Sequence, residues 1–146
     1  MAIRLSTGLR NKVLDSGMAD AFDSTGRINI YTGTQPASAN DAATGTLLAT
    51  LTLASDSVTA GASSGSISFA TITSDTSADA SGTAGYGRFY RTGDTAPGSS
   101  ASASDRRLDF DIAETSGGSV NFDETAFVAG GTVAISSFSI TLPSGE

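Results

Sequence analysis

Apolar and polar residues alternate along most of this chain at a period of two, which sends successive side chains to opposite faces of a strand. The longest such run is 130–142, which ends at Pro143. Within it Val133 and Ile135 share one parity, and Phe138, Ile140 and Leu142 share the other. A strand that switches parity without a turn residue has taken on one extra residue, so the pattern predicts a β-bulge at Ser136-Ser137. This run is expected to pass through the middle of a sheet, with the shorter strands pairing alongside.

Only the opening segment has helical spacing. In residues 3–23, Ser6 or Thr7 can cap, Leu9 and Val13 are four apart, Leu14 widens the stripe, and Gly17 interrupts before Met18 and Phe22. A helix, a turn and a short second helix are expected, packed across one side of a sheet; the alternative is an arm that grips a neighbour. Strands follow at 27–31, with Ile28 and Ile30 inward, and at 46–53, with Leu47, Leu51 and Leu53 on one face and Leu48 on the other, under the helix. Further strands are expected at 66–72, 85–91, 107–113 and 119–122. Tyr86, Arg88 and Tyr90 share one face of their strand opposite Phe89, while Leu108, Phe110 and Ile112 point inward and leave the acids on the wet side. Gly- and Ser-rich stretches at 33–42, 55–65 and 92–104 read as loops. Strands punctuated this way, without intervening helices, predict a mainly β fold. It is an antiparallel β-sandwich or barrel, with an N-terminal helical segment at 1–23 and a single β-sandwich-like domain at 24–146.

Composition thins the expected core. Leu, Ile, Val and Phe together make 29 of 146 residues, and the net charge is −7, close to the border below which chains fail to bury enough apolar surface. Ala, Gly, Ser and Thr add little buried area against roughly 1–2 kcal/mol of backbone entropy per residue. Modest stability as an isolated chain is therefore expected, with assembly adding to it. The opening residues lack an apolar leader core and no stretch approaches 18 apolar residues, so synthesis in the cytoplasm without membrane insertion is expected.

Cysteine and histidine are both absent, which removes disulfides, thiolate sites, the usual general base and the usual metal ligand. Asp109, Asp111 and Glu114 are the densest carboxylates, read as the solvated face of a strand, with pairing to Arg88, Arg91, Arg106 or Arg107 as the lesser alternative. Serine is plentiful, but the chain has no histidine to activate one as a nucleophile. No catalytic, cofactor-binding or metal residue is assigned and no enzymatic activity is expected. An acidic chain repels phosphate, and the segment around Tyr86 and Arg88 lacks the helices and basic field of an RNA-recognition sheet, so nucleic acid is not an expected partner. Candidate interface residues are Arg4, Leu5, Leu9 and Arg10 in the N-terminal segment, and Tyr86, Arg88, Tyr90, Arg91, Arg106 and Arg107 in the two tyrosine- and arginine-bearing stretches.

Two blocks carry a resemblance. The opening Met1–Asn11, running on to 28–39 and 45–48, and the closing 121–125, 129–133 and 135–143 resemble small virion structural proteins of tailed bacteriophages and prophages. Together they cover about half the chain, and no catalytic motif comes with them. The resemblance implies a virion protein assembled in the host cytoplasm. Small size, acidity and a thin core agree foremost with a capsid decoration (cement or minor capsid) protein that binds the major capsid protein from outside and stabilises the head, and the edge-rich, weak-core domain predicts a trimer or another cyclic oligomer. A tail, neck, baseplate or fibre component stands as the alternative, as does a β-sandwich module that binds host glycans.

Overall fold

The computed structural model describes residues 5–18, 26–54, 62–69, 72–114, 120–135 and 137–143. The chain is mainly β with one short N-terminal helix, and its strands form a curled, mixed half-barrel. Helix α1, Thr7–Val13, runs into a π-helical turn, Leu14–Met18. Ser6 caps α1 with extended backbone, its Oγ accepting from the Leu9 N–H at 3.3 Å. The second helix expected between Met18 and residue 23 lies, beyond Met18, outside the described residues.

The strands are β1 Gly26–Tyr31, β2 Leu47–Leu53, β3 Ser66–Ser68, β4 Ile72–Thr73, β5 Gly82–Thr83, β6 Tyr86–Arg91, β7 Arg107–Glu114, β8 Val120–Phe122, β9 Ala126–Phe127 and β10 Ser137–Thr141. Eight of them form one sheet in the order β3-β10-β8-β7-β6-β1-β2-β4, and β5 pairs with β9 separately. Alternation in β1, β6 and β7 sets a shared register: Ile28 stands opposite Phe89, which stands opposite Leu108, and Ile30 opposite Gly87 opposite Phe110. These residues line the concave, core side.

Curling follows from the aromatic contacts. β10 and β6 are three positions apart in the sheet, which in a flat sheet means about 14 Å at ~4.8 Å per strand. Yet the Phe138 and Phe89 rings lie 5.7 Å apart, and Phe69, just after β3, lies 5.6 Å from Phe89. Phe69 stacks on Phe138 at 4.6 Å, and Phe110 lies 5.2 Å from the same ring. Four phenylalanines thus fill the hollow of the curl, and with Ile28, Ile30, Leu51, Ile67 and Val120 they form the core. A chain one-fifth Leu, Ile, Val and Phe closes its core by concentrating its rings at one point.

Three expectations are corrected. The run 130–142 is not one central strand: Val133 makes an isolated bridge to Asp75, and regular pairing begins only at Ser137. β10 lies second from the sheet edge, between β3 and β8, and the expected bulge includes Ser136, which lies outside the described residues. The sheet is also not purely antiparallel, because β7 and β8 run parallel, Ile112 opposite Val120. Finally, Leu48 is buried away from α1. The β1–β2 register skips it between Ala49 and Leu47, and it packs by Gly82, its carbonyl accepting from the Asp79 N–H at 2.8 Å.

Candidate interaction surface

The register that sends apolar residues into the hollow sends a polar row to the other face. Asn29, Arg88 and Asp109 stand opposite one another on β1, β6 and β7, and Thr50 on β2 extends the row. The Thr50 hydroxyl donates to Asn29 Oδ1 at 3.1 Å, and Asn29 Nδ2 donates to the Tyr31 hydroxyl at 3.0 Å. Arg88 is fully buried. Its Nε and Nη2 donate to the two Asp109 oxygens at 2.7 and 2.8 Å, the planar fork that matches a carboxylate. Burial opposes the guanidinium charge, but the Asp109 hydrogen bonds and charge outweigh it, so the Arg88 pKa is raised.

The remaining Arg88 donor reaches the loops. Nη1 donates to the carbonyls of Asp41 and Pro97, at 2.8 and 3.1 Å, one from each of the loops 32–46 and 92–106. Other contacts tie the same loops. The Tyr86 hydroxyl donates to the Thr44 carbonyl at 2.8 Å and accepts from the Thr44 N–H at 2.9 Å. The Tyr86 ring stacks on Tyr31, centroids 5.3 Å apart. Arg107 donates to the carbonyls of Ser99, Thr95 and Ala96. The loops also bond each other, Ala43 N–H to the Pro97 carbonyl at 2.8 Å and Ala101 N–H to the Asn40 carbonyl at 2.7 Å. In the second loop the Asp105 carboxylate, well below the usual carboxylate range, accepts first from the Thr95 side chain and then from the Ser102 N–H. The outcome is a rigid plate of small residues, with Ser38, Asn40, Ser99 and Ser102 exposed on it.

The polar face is therefore not wet at its centre. The Asp109 side chain is 4% exposed in its ion pair, so the solvated-face reading fails for it. Asp111 and Glu114 are exposed. The Glu114 pKa is lowered by the Thr125 hydroxyl and N–H, which donate to it. Among the described residues, no group of three or more metal-ligating side chains comes together.

Of the candidate interface residues, Arg4 lies outside the described residues. Tyr86 and Arg88 are turned inward, holding loops. Tyr90, Arg91 and Arg106 are half-buried, as is Arg107. Burial raises the Tyr90 pKa, and the Arg106 N–H donates to Asp94 Oδ2 at 2.8 Å. Leu5 is half-buried. Arg10 faces the domain, its Nη1 donating to the Leu142 carbonyl at 2.9 Å. Leu9 is half exposed. Asn29, Asp41, Pro97 and Thr44 hold the site without having been singled out in the sequence; three of them act through backbone groups, and only the place of Asn29, between two inward isoleucines, marks it.

No protein-family model, no curated protein and no solved structure matches this chain.

Proposed function

We propose that this chain is a non-enzymatic structural subunit of a tailed-phage virion, a capsid decoration protein that self-associates and docks on the outer face of the major capsid protein through the loop plate. One observation carries the reading: Arg88, Asp109, Tyr86 and Arg107 hold the loops 32–46 and 92–106 in place rather than converging on a cavity. A buried ion pair that orders loops supplies shape, and an ordered surface of small side chains loses little entropy when another protein covers it. The sequence resemblance supplies the particle.

The test is stoichiometric. Particles carrying this protein are purified, and its amount is compared with the major capsid protein by labelled-peptide mass spectrometry. Near-equimolar protein, with heads that leak DNA once it is stripped off, is the expected result. A few copies per particle, or signal that stays with isolated tails, moves the protein to the tail. Saturable binding to host polysaccharide makes it a glycan-binding module.

A further inference from the structure

Helix α1 is mounted with its polar side toward the domain. Arg10 donates to the Leu142 carbonyl, Asn11 Oδ1 accepts from the Gly65 N–H at 2.8 Å, and the Asp15 carboxylate accepts from the Ala62 N–H. Leu14, the residue after the helix, is the apolar side chain here that goes fully inside. Leu9 and Val13, one turn apart, are 50% and 47% exposed, and Lys12 beside them is exposed too. This inverts the usual arrangement, in which the apolar stripe faces the core. It also overturns the expectation that Leu9 and Val13 pack on the sheet.

Only one other large apolar side chain among the described residues is exposed, Val128 at 69%. It borders a groove of about 350 Å³ that Phe122, Phe127 and Val133 line and that Asp123 and Glu124 rim. The charges complement. Arg4, Arg10 and Lys12 precede every acid of the chain, so the opening fourteen residues are purely basic while all fifteen acids lie in the remainder.

We infer that Leu9 and Val13 of one copy seat in the Val128 groove of a second copy of this chain, with Lys12 beside Asp123 and Glu124. One copy does not fill its own groove. The groove lies by the start of β10, where Ser137 pairs with Asn121, and α1 is bonded past its end, at Leu142. Those points are about 17 Å apart at ~3.4 Å per residue, whereas Leu9 and Val13 span about 6 Å of helix. Two different patches then meet, so the contact is heterologous and propagates, into a ring where the rotation closes and into a filament where it does not. This deepens the self-association in the proposed function and is tested on the purified chain, so it can fail while the particle assignment stands.

Two variants are compared by size-exclusion chromatography with light scattering, with circular dichroism as the folding control: Leu9→Ser with Val13→Ser, which removes the ridge, and Val128→Asp, which spoils the groove. All three side chains are solvent-exposed, so folding is retained. The wild-type chain is expected to form an oligomer and each variant a monomer. An equimolar mixture of the two variants is expected to form a dimer of twice the monomer mass, because one intact ridge meets one intact groove. In parallel, Lys12→Glu is expected to weaken association at least tenfold, and combining it with Glu124→Lys to restore it. A monomeric wild-type chain, variants that associate as the wild type does, or a mixture that stays monomeric would overturn the inference. Association kept by Val128→Asp and lost by Leu9→Ser with Val13→Ser would point to helix meeting helix.

Discussion

Arg88 is buried with its charge, and a buried pair responds asymmetrically to mutation. Removing one partner leaves an uncompensated charge and costs about 3–5 kcal/mol, whereas replacing both with apolar residues of similar size is often close to neutral. Arg88→Met is thus expected to destabilise by about that amount, because it frees Asp109 and also drops the Asp41 and Pro97 carbonyls. Arg88→Met with Asp109→Leu is expected to recover part of the loss, and only part, because the loop carbonyls stay unpartnered. Urea unfolding of the wild type and the two variants measures this, and amide exchange in 32–46 and 92–106 should rise in both variants. Asp105 and Glu114 set a pH dependence: their folded pKa values are lowered, so their stabilisation is full above the unfolded values, about 4, and is lost as pH falls through the folded ones. Unfolding midpoints should therefore decline below about pH 4, and Asp105→Asn should flatten that decline.

At the scale of strands, β6 shows what alternation reveals and what it hides. Its parity separates Phe89 from Tyr86, Arg88 and Tyr90 on sight, and the structure keeps that division. Alternation gives the face but not what covers it, so Arg88 and Tyr86 read as surface residues until two loops, distant in sequence, close over them. The facing of helix α1 is hidden in the sequence for a related reason: an apolar pair four apart marks a stripe, and only tertiary bonds such as Arg10 to Leu142 decide which way the stripe turns. In 130–142 alternation suggests one continuous strand, whereas the chain leaves one pairing at Val133 and starts another at Ser137. Gly87 is the strand position with the sharpest requirement. It faces Phe110 across the β6–β7 pair, and a Cβ there would lie 2.2 Å from the ring. That ring is held by Phe138, so Gly87→Ala is expected to destabilise by about 1–3 kcal/mol through overpacking. Thermal melting of Gly87→Ala beside Gly87→Ala with Phe110→Leu checks the cause, since the smaller side chain should return part of the loss.

For the molecule as a whole, the decisive feature is where the end of the chain is placed. β10 is wedged between β3 and β8, with Ile140 opposite Ile67 on one side and Phe138 opposite Val120 on the other. It brings Phe138, the ring that touches Phe69, Phe89 and Phe110, and it is followed by the carbonyl that anchors α1. Among the described residues no other ring touches all three of those phenylalanines, and a core this thin has little reserve to lose it. A chain ending at residue 135 is therefore expected to lack cooperative unfolding and near-ultraviolet circular dichroism, although β1, β2, β6 and β7 are all present in it. The same wiring sets the kinetics. Pairing residue 67 with residue 140 closes a loop of half the sequence, and the contact of residue 10 with residue 142 closes one that nearly spans it; such contacts give slow folding, on the millisecond-to-second scale of non-local β proteins. Stopped-flow refolding should show that rate, and Phe138→Leu should slow folding by more than Gly87→Ala does if closure at β10 belongs to the transition state. Equal effects would place the nucleus instead in the β1–β6–β7 meander, with β10 docking late.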